Sequence, residues 1–144
     1  LLRGMKTFPL RMQYQNESGL QLARYLEKHP RITRVYYPYL PSHPHYEIAK
    51  EQMKGGGGVV TFEIEGDLDR ARAFMDALEL CYIGPSLGGV ETLITHPALV
   101  SYYDYSPEER KELGISDTLF RLAVGVEATD DIIEDIEQGL ETSQ

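Results

Sequence analysis

The sequence predicts an α+β domain in which helices cover one face of a sheet. Helix-type and strand-type patterns alternate along the chain, and the strand-type runs are short. Val59 to Ile64 alternates strictly: Val60, Phe62 and Ile64 point one way, Thr61 and Glu63 the other. That is the pattern of a strand with one buried face.

The first expected helix runs from Leu10 to Lys28, with Leu22, Ala23 and Leu26 on one side and His29-Pro30 as its stop. Arg31 to Tyr37 reads as a strand through Ile32, Val35, Tyr36 and Tyr37. Pro38 to Pro44 is a proline-rich turn. Pro44 is expected at the first turn of a short helix reaching Met53, with Tyr46, Ala49 and Met53 buried. Gly55 to Gly58 breaks the chain before the Val59–Ile64 strand. Asp67 is placed to cap a helix striped by Leu68, Ala71, Met75 and Leu78. Tyr82-Ile83 forms a short strand leading into Gly84-Pro85-Ser86. Ser106 caps a further short helix, with Pro107 in its first turn and Gly114 as its end. Thr118 to Val126 reads as a strand, and an acidic helix with Ile132, Ile133, Ile136 and Leu140 inward closes the chain.

The bulk numbers narrow the function. A chain of 144 residues with 42% hydrophobic and 26% charged residues is expected to be one soluble domain. Fourteen basic against 23 acidic residues give a net charge of −9. That balance argues against nucleic acid or an anionic membrane as the partner, but a small anion needs only one local cation. The lone cysteine, Cys81, cannot close an internal disulfide; it is expected to be a buried apolar residue of an intracellular protein. No apolar run approaches a membrane span. His43, His45 and His96 show no metal-ligand spacing. The order Lys54 then Gly55 to Gly58 lacks the phosphate-loop pattern. The start, Leu1-Leu2-Arg3-Gly4, reads as the interior of a longer polypeptide.

Two features carry candidate chemistry. Arg121 interrupts an apolar strand, where alternation puts Leu119, Arg121, Ala123 and Gly125 on one face and Phe120, Leu122, Val124 and Val126 on the core face. A guanidinium there needs a partner. A ligand carboxylate, gripped by two parallel hydrogen bonds, is one; an internal ion pair with Glu127 or Glu91 is the other. The second feature is Ser86-Leu87-Gly88-Gly89, a small-residue bend where backbone or hydroxyl can meet a ligand, or a tight structural turn.

The run Tyr82-Ile83-Gly84-Pro85-Ser86-Leu87-Gly88-Gly89-Val90-Glu91-Thr92-Leu93, then His96-Pro97-Ala98, Ser106-Pro107-Glu108-Glu109-Arg110 and Gly114 to Glu127, resembles the C-terminal domain of the cystathionine γ-synthase/γ-lyase family. These are pyridoxal-phosphate enzymes of cysteine and methionine metabolism. Arg3-Gly4-Met5-Lys6-Thr7 and Val35 to Pro44 fit the same family, so the likeness extends from Leu1 to about Leu140. It implies the small C-terminal domain of a fold-type I enzyme, with a mixed or antiparallel sheet, over residues 1–144. Residues 1–28 would link it to a large cofactor-binding domain.

The resemblance also implies roles. Arg121 would grip the α-carboxylate of an amino-acid substrate, Ser86, with Leu87 beside it, would lie against the substrate and the cofactor-bearing lysine, and Ser101 would support the arginine. Pro85 with Ser101-Tyr102-Tyr103-Asp104 looks more like the synthase branch, particularly the plant type. γ-Lyase activity, or a non-catalytic amino-acid-binding module, are the alternatives. The family's Schiff-base lysine lies in an S-x-T-K segment that this sequence lacks, so the chain alone is expected to be inactive. A cytoplasmic (or plastid) homotetramer is further implied.

Overall fold

The computed structural model describes residues 2–143. A short helix, α1 (Leu2–Met5), precedes α2 (Phe8–Lys28), which carries a proline in its first turn and therefore starts two residues earlier than expected. Then follow β1 (Ile32–Tyr36), α3 (Tyr46–Gln52), β2 (Val59–Ile64) and α4 (Leu68–Ala77). The last elements are β3 (Tyr82–Ile83), β4 (Leu93–Thr95), α5 (Pro97–Val100), α6 (Pro107–Glu112), β5 (Leu119–Ala123) and α7 (Thr129–Thr142).

The strands form one five-stranded sheet in the order β1-β2-β5-β4-β3. β1 with β2, β2 with β5 and β5 with β4 are antiparallel; β3 with β4 is parallel, so the sheet is mixed. Parallel neighbours usually need a crossover of about a dozen residues or more. Here residues 84–92 make the return, which forces them into a loop over the sheet end.

Register sorts the two faces. Val60 pairs with Leu122 and Ile94 with Leu122; Phe62 pairs with Phe120. These side chains, with Val124 and Ile64, pack with Leu22, Leu26, Ala71, Phe74, Ile132, Ile136 and Leu140 from the helices. The opposite face carries Tyr36, Thr61, Arg121 and Thr95, each paired with the next across four strands. Burying the first face supplies the driving force, and the polar row stays outside that core.

Several expectations are corrected. Val126 is exposed rather than core, because β5 ends at Ala123 and the Val126 amide turns to the Val90 carbonyl at 2.9 Å. Met53 is exposed, and Pro44 precedes α3 rather than opening it; His45 is the cap. β4, of three residues, and α5, of four, are too short to show a period in the sequence. The expected caps are present: the Asp67 side chain accepts the Arg70 amide at 3.0 Å, and Ser106 with Glu109 forms a reciprocal capping box.

Asp135 joins α7 to the turn after α4. Its carboxylate accepts the amides of Glu79 at 2.7 Å and Cys81 at 2.9 Å. Burial alone would raise its pKa, but the amides of Glu79, Cys81 and Leu80 outweigh burial and hold it below the ordinary value. A depressed folded pKa stabilises above the unfolded value, about 3.9, and that contribution is lost as pH falls through the folded value. Asp135→Asn is therefore expected to lose about 1.5–3 kcal/mol at neutral pH. The gap to the parent should close in acid below about pH 4, read by urea unfolding at several pH values. Cys81 is buried as expected, and burial with Asp135 nearby pushes its thiol well up, so it stays protonated and inert.

Candidate substrate-binding site

Arg121 sits in the middle of β5, paired with Thr61 on one side and Thr95 on the other. Its guanidinium reaches the 84–92 loop. Nη2 donates to the Pro85 carbonyl at 2.6 Å and to the Ser86 carbonyl at 3.0 Å, with Thr95 Oγ1 at 3.5 Å. Nε is enclosed and has no hydrogen-bond partner. Among the described residues, no carboxylate forms an ion pair with Arg121. The internal ion-pair alternative is thereby corrected for both Glu91 and Glu127; the Glu127 carboxylate holds Thr92 instead.

Neutral carbonyls orient a guanidinium without cancelling its charge. Arg121 therefore keeps its positive charge, half-buried and locked in direction, with Nη1 free of hydrogen bonds among the described residues. An anionic carboxylate is the chemical partner that a fixed, uncancelled guanidinium favours.

The other expected residues are placed as follows. Ser86 lies in the loop, joined to Arg121 through its carbonyl, and its side chain is exposed. Leu87 is 58% exposed at the loop tip beside Gly88, whose φ of 74° lets the chain reverse. Ser101 ends α5, its amide bonded to the Pro97 carbonyl at 3.0 Å, and it too is exposed. The hydroxyl that meets the guanidinium belongs to Thr95, which also donates to the Gly84 carbonyl. Sequence reading missed Thr95 because its role depends on the β4–β5 register. His96, next along, is buried and donates from Nε2 to the Asp117 carbonyl at 2.9 Å. Burial lowers its pKa, so the ring is neutral and fixes the start of α5.

The fold and site define an α+β domain with a mixed five-stranded sheet and one arginine oriented by loop carbonyls. A family model described as Cys/Met metabolism PLP-dependent enzyme matches residues 1–141, and the chain belongs to that family. Cystathionine gamma-synthase 1, chloroplastic, from Arabidopsis thaliana is 50% identical over 141 residues, which are 98% of this chain and 25% of that protein. L-methionine gamma-lyase from Fusobacterium nucleatum subsp. polymorphum is 48% identical over 98% of this chain and 36% of its own length. The crystal structure of cystathionine gamma-lyase from Lactobacillus plantarum complexed with L-serine superposes with a TM-score of 0.90 at 40% identity. That match covers 99% of this chain and 37% of the other. The chain thus spans between a quarter and about two fifths of these relatives.

The cofactor of the family is pyridoxal phosphate. Lys6, Lys28, Lys50, Lys54 and Lys111 are all exposed on the described chain. No group of ligating side chains suited to a metal occurs among the described residues, and none of their helices is long and apolar enough to cross a membrane.

Proposed function

We propose that this chain is the C-terminal, substrate-gripping part of a transsulfuration enzyme of the cystathionine γ-synthase type. Arg121 holds the α-carboxylate of an activated homoserine, so that the rest of the amino acid is presented to chemistry supplied by a large domain outside this chain. The observation that carries this is the charge state of the site. The arginine is locked by the Pro85 and Ser86 carbonyls and by Thr95, yet has no anionic partner among the described residues. The L-serine in the solved Lactobacillus relative, an amino acid, agrees with such a ligand.

Ser86, Leu87 and Ser101 are exposed and are proposed to face the ligand side of the complete enzyme. Met5, Phe8, Leu87 and Val90 leave apolar surface in the open, as expected of a face that meets the remainder of the protein. The chain on its own is proposed to be inactive, and the whole enzyme to be a cytoplasmic or plastid homotetramer.

A lyase is the second reading, because methionine γ-lyase is nearly as similar as the synthase, 48% against 50%. Products separate the two. With O-activated homoserine and cysteine, the complete enzyme should release the leaving acid and form the thioether. Formation of keto acid and ammonia from cystathionine as the dominant reaction would favour the lyase. The isolated chain mixed with pyridoxal phosphate should show no internal-aldimine absorbance.

A further inference from the structure

We infer that Glu127 is a positioning residue for the carboxylate-binding arginine, acting through Thr92; this rests on the reading of Arg121 above. The Glu127 carboxylate accepts both the amide of Thr92 at 2.7 Å and its hydroxyl at 2.8 Å. The same hydroxyl accepts the Gly125 amide at 2.9 Å. Thr92 is fully buried. A carboxylate taking two donors from one buried residue is a strong, directional clamp.

The clamp fixes the exit of the 84–92 loop onto the chain just beyond β5. At Gly125 a Cβ would lie 2.3 Å from the Val90 carbonyl oxygen and 2.5 Å from the Glu91 carbonyl carbon, so only glycine allows this approach. Helix α2 braces the same region: Tyr14 donates to the Glu127 carbonyl at 2.9 Å, and buried Gln15 donates to the Gly89 carbonyl at 2.8 Å. At the entry, the Gly84 amide bonds the Ile94 carbonyl at 2.9 Å.

Between these anchored ends stand the two carbonyls that orient Arg121. Thr92 also leads directly into β4, which carries Thr95. A shift at Thr92 therefore bears on Thr95, whose hydroxyl meets the guanidinium, and on the exit of the loop whose carbonyls orient it. Glu127 does not itself touch Arg121, so its effect should appear in how the carboxylate is held, not in the chemical step.

The test uses the cofactor-loaded enzyme that contains this chain. Two substrates are compared: an amino acid and the matching amine without its carboxylate. Glu127→Gln replaces one acceptor of the clamp by a donor, and Thr92→Val removes the hydroxyl at similar shape. Each is expected to raise KM for the amino acid roughly tenfold with kcat nearly unchanged. The preference for amino acid over amine should fall by the same factor, and Thr92→Ser should retain it. Thermal melts report folding; if Thr92→Val does not fold, Glu127→Gln and Thr92→Ser still decide.

A folded Glu127→Gln enzyme with an intact preference, or one that loses both substrates equally, overturns the inference. Arg121→Ala in the same assay separates the two levels. If it leaves the preference intact, the reading of Arg121 fails, and this inference with it. If it abolishes the preference while Glu127→Gln does not, only the role of Glu127 fails.

Discussion

Arg121→Ala is expected to lower kcat/KM of the complete enzyme for its amino-acid substrate by roughly 30- to several-thousand-fold. The range follows from about 2–5 kcal/mol for truncating one partner of a buried, hydrogen-bonded charge pair. The loss arises because the substrate carboxylate would still be desolvated on binding but would find no guanidinium. Arg121→Lys should recover only part of it, since an ammonium cannot present the planar fork. Folding should change little by comparison: the side chain makes no ion pair among the described residues, and the Pro85 and Ser86 carbonyls it leaves lie in an exposed loop that water can reach. Steady-state kinetics with a thermal melt of each variant check both halves.

Phe120→Ala, one residue away, should do the reverse. Phe120 points into the core, fully buried, with its ring centroid 5.6 Å from Phe62 and 5.0 Å from Phe74; Phe62 and Phe74 lie 6.3 Å apart. These three rings bridge β2, β5 and α4. Truncating one leaves a cavity the others cannot fill, and a cost of about 3–5 kcal/mol is expected. Against a typical total of about 5–15 kcal/mol, that takes much of the stability of the domain. Denaturant unfolding should show a lower midpoint at nearly unchanged slope. Neighbouring residues of one strand thus separate binding from folding, because alternation sends them to opposite faces.

The same alternation explains what could be read from the sequence. Val59–Ile64 and the Phe120–Leu122 region declared themselves through period two, and α2, α4 and α7 through their apolar stripes. Phe74 also fits the α4 stripe, three residues after Ala71, and its spacing alone could have revealed it. Arg121 was legible because a charge in an apolar strand is costly. Its neighbours were not. β4 is three residues long, too short to show a period, so nothing local placed Thr95 beside Arg121. Alternation carried past the end of β5 puts Val126 in the core, but the strand stops at Ala123. Glu127 was weighed as a partner for the arginine; its actual partner, Thr92, lies 35 residues earlier and is brought there by the loop and sheet, which no local pattern encodes.

The central claim is that Arg121 recognises a substrate carboxylate. It is tested most directly by the affinity of the complete enzyme for an amino-acid substrate and for the same amine lacking the carboxylate, before and after Arg121→Ala. The parent should prefer the amino acid by roughly 30-fold or more. In Arg121→Ala the two affinities should converge. An undiminished preference in that variant would contradict the account.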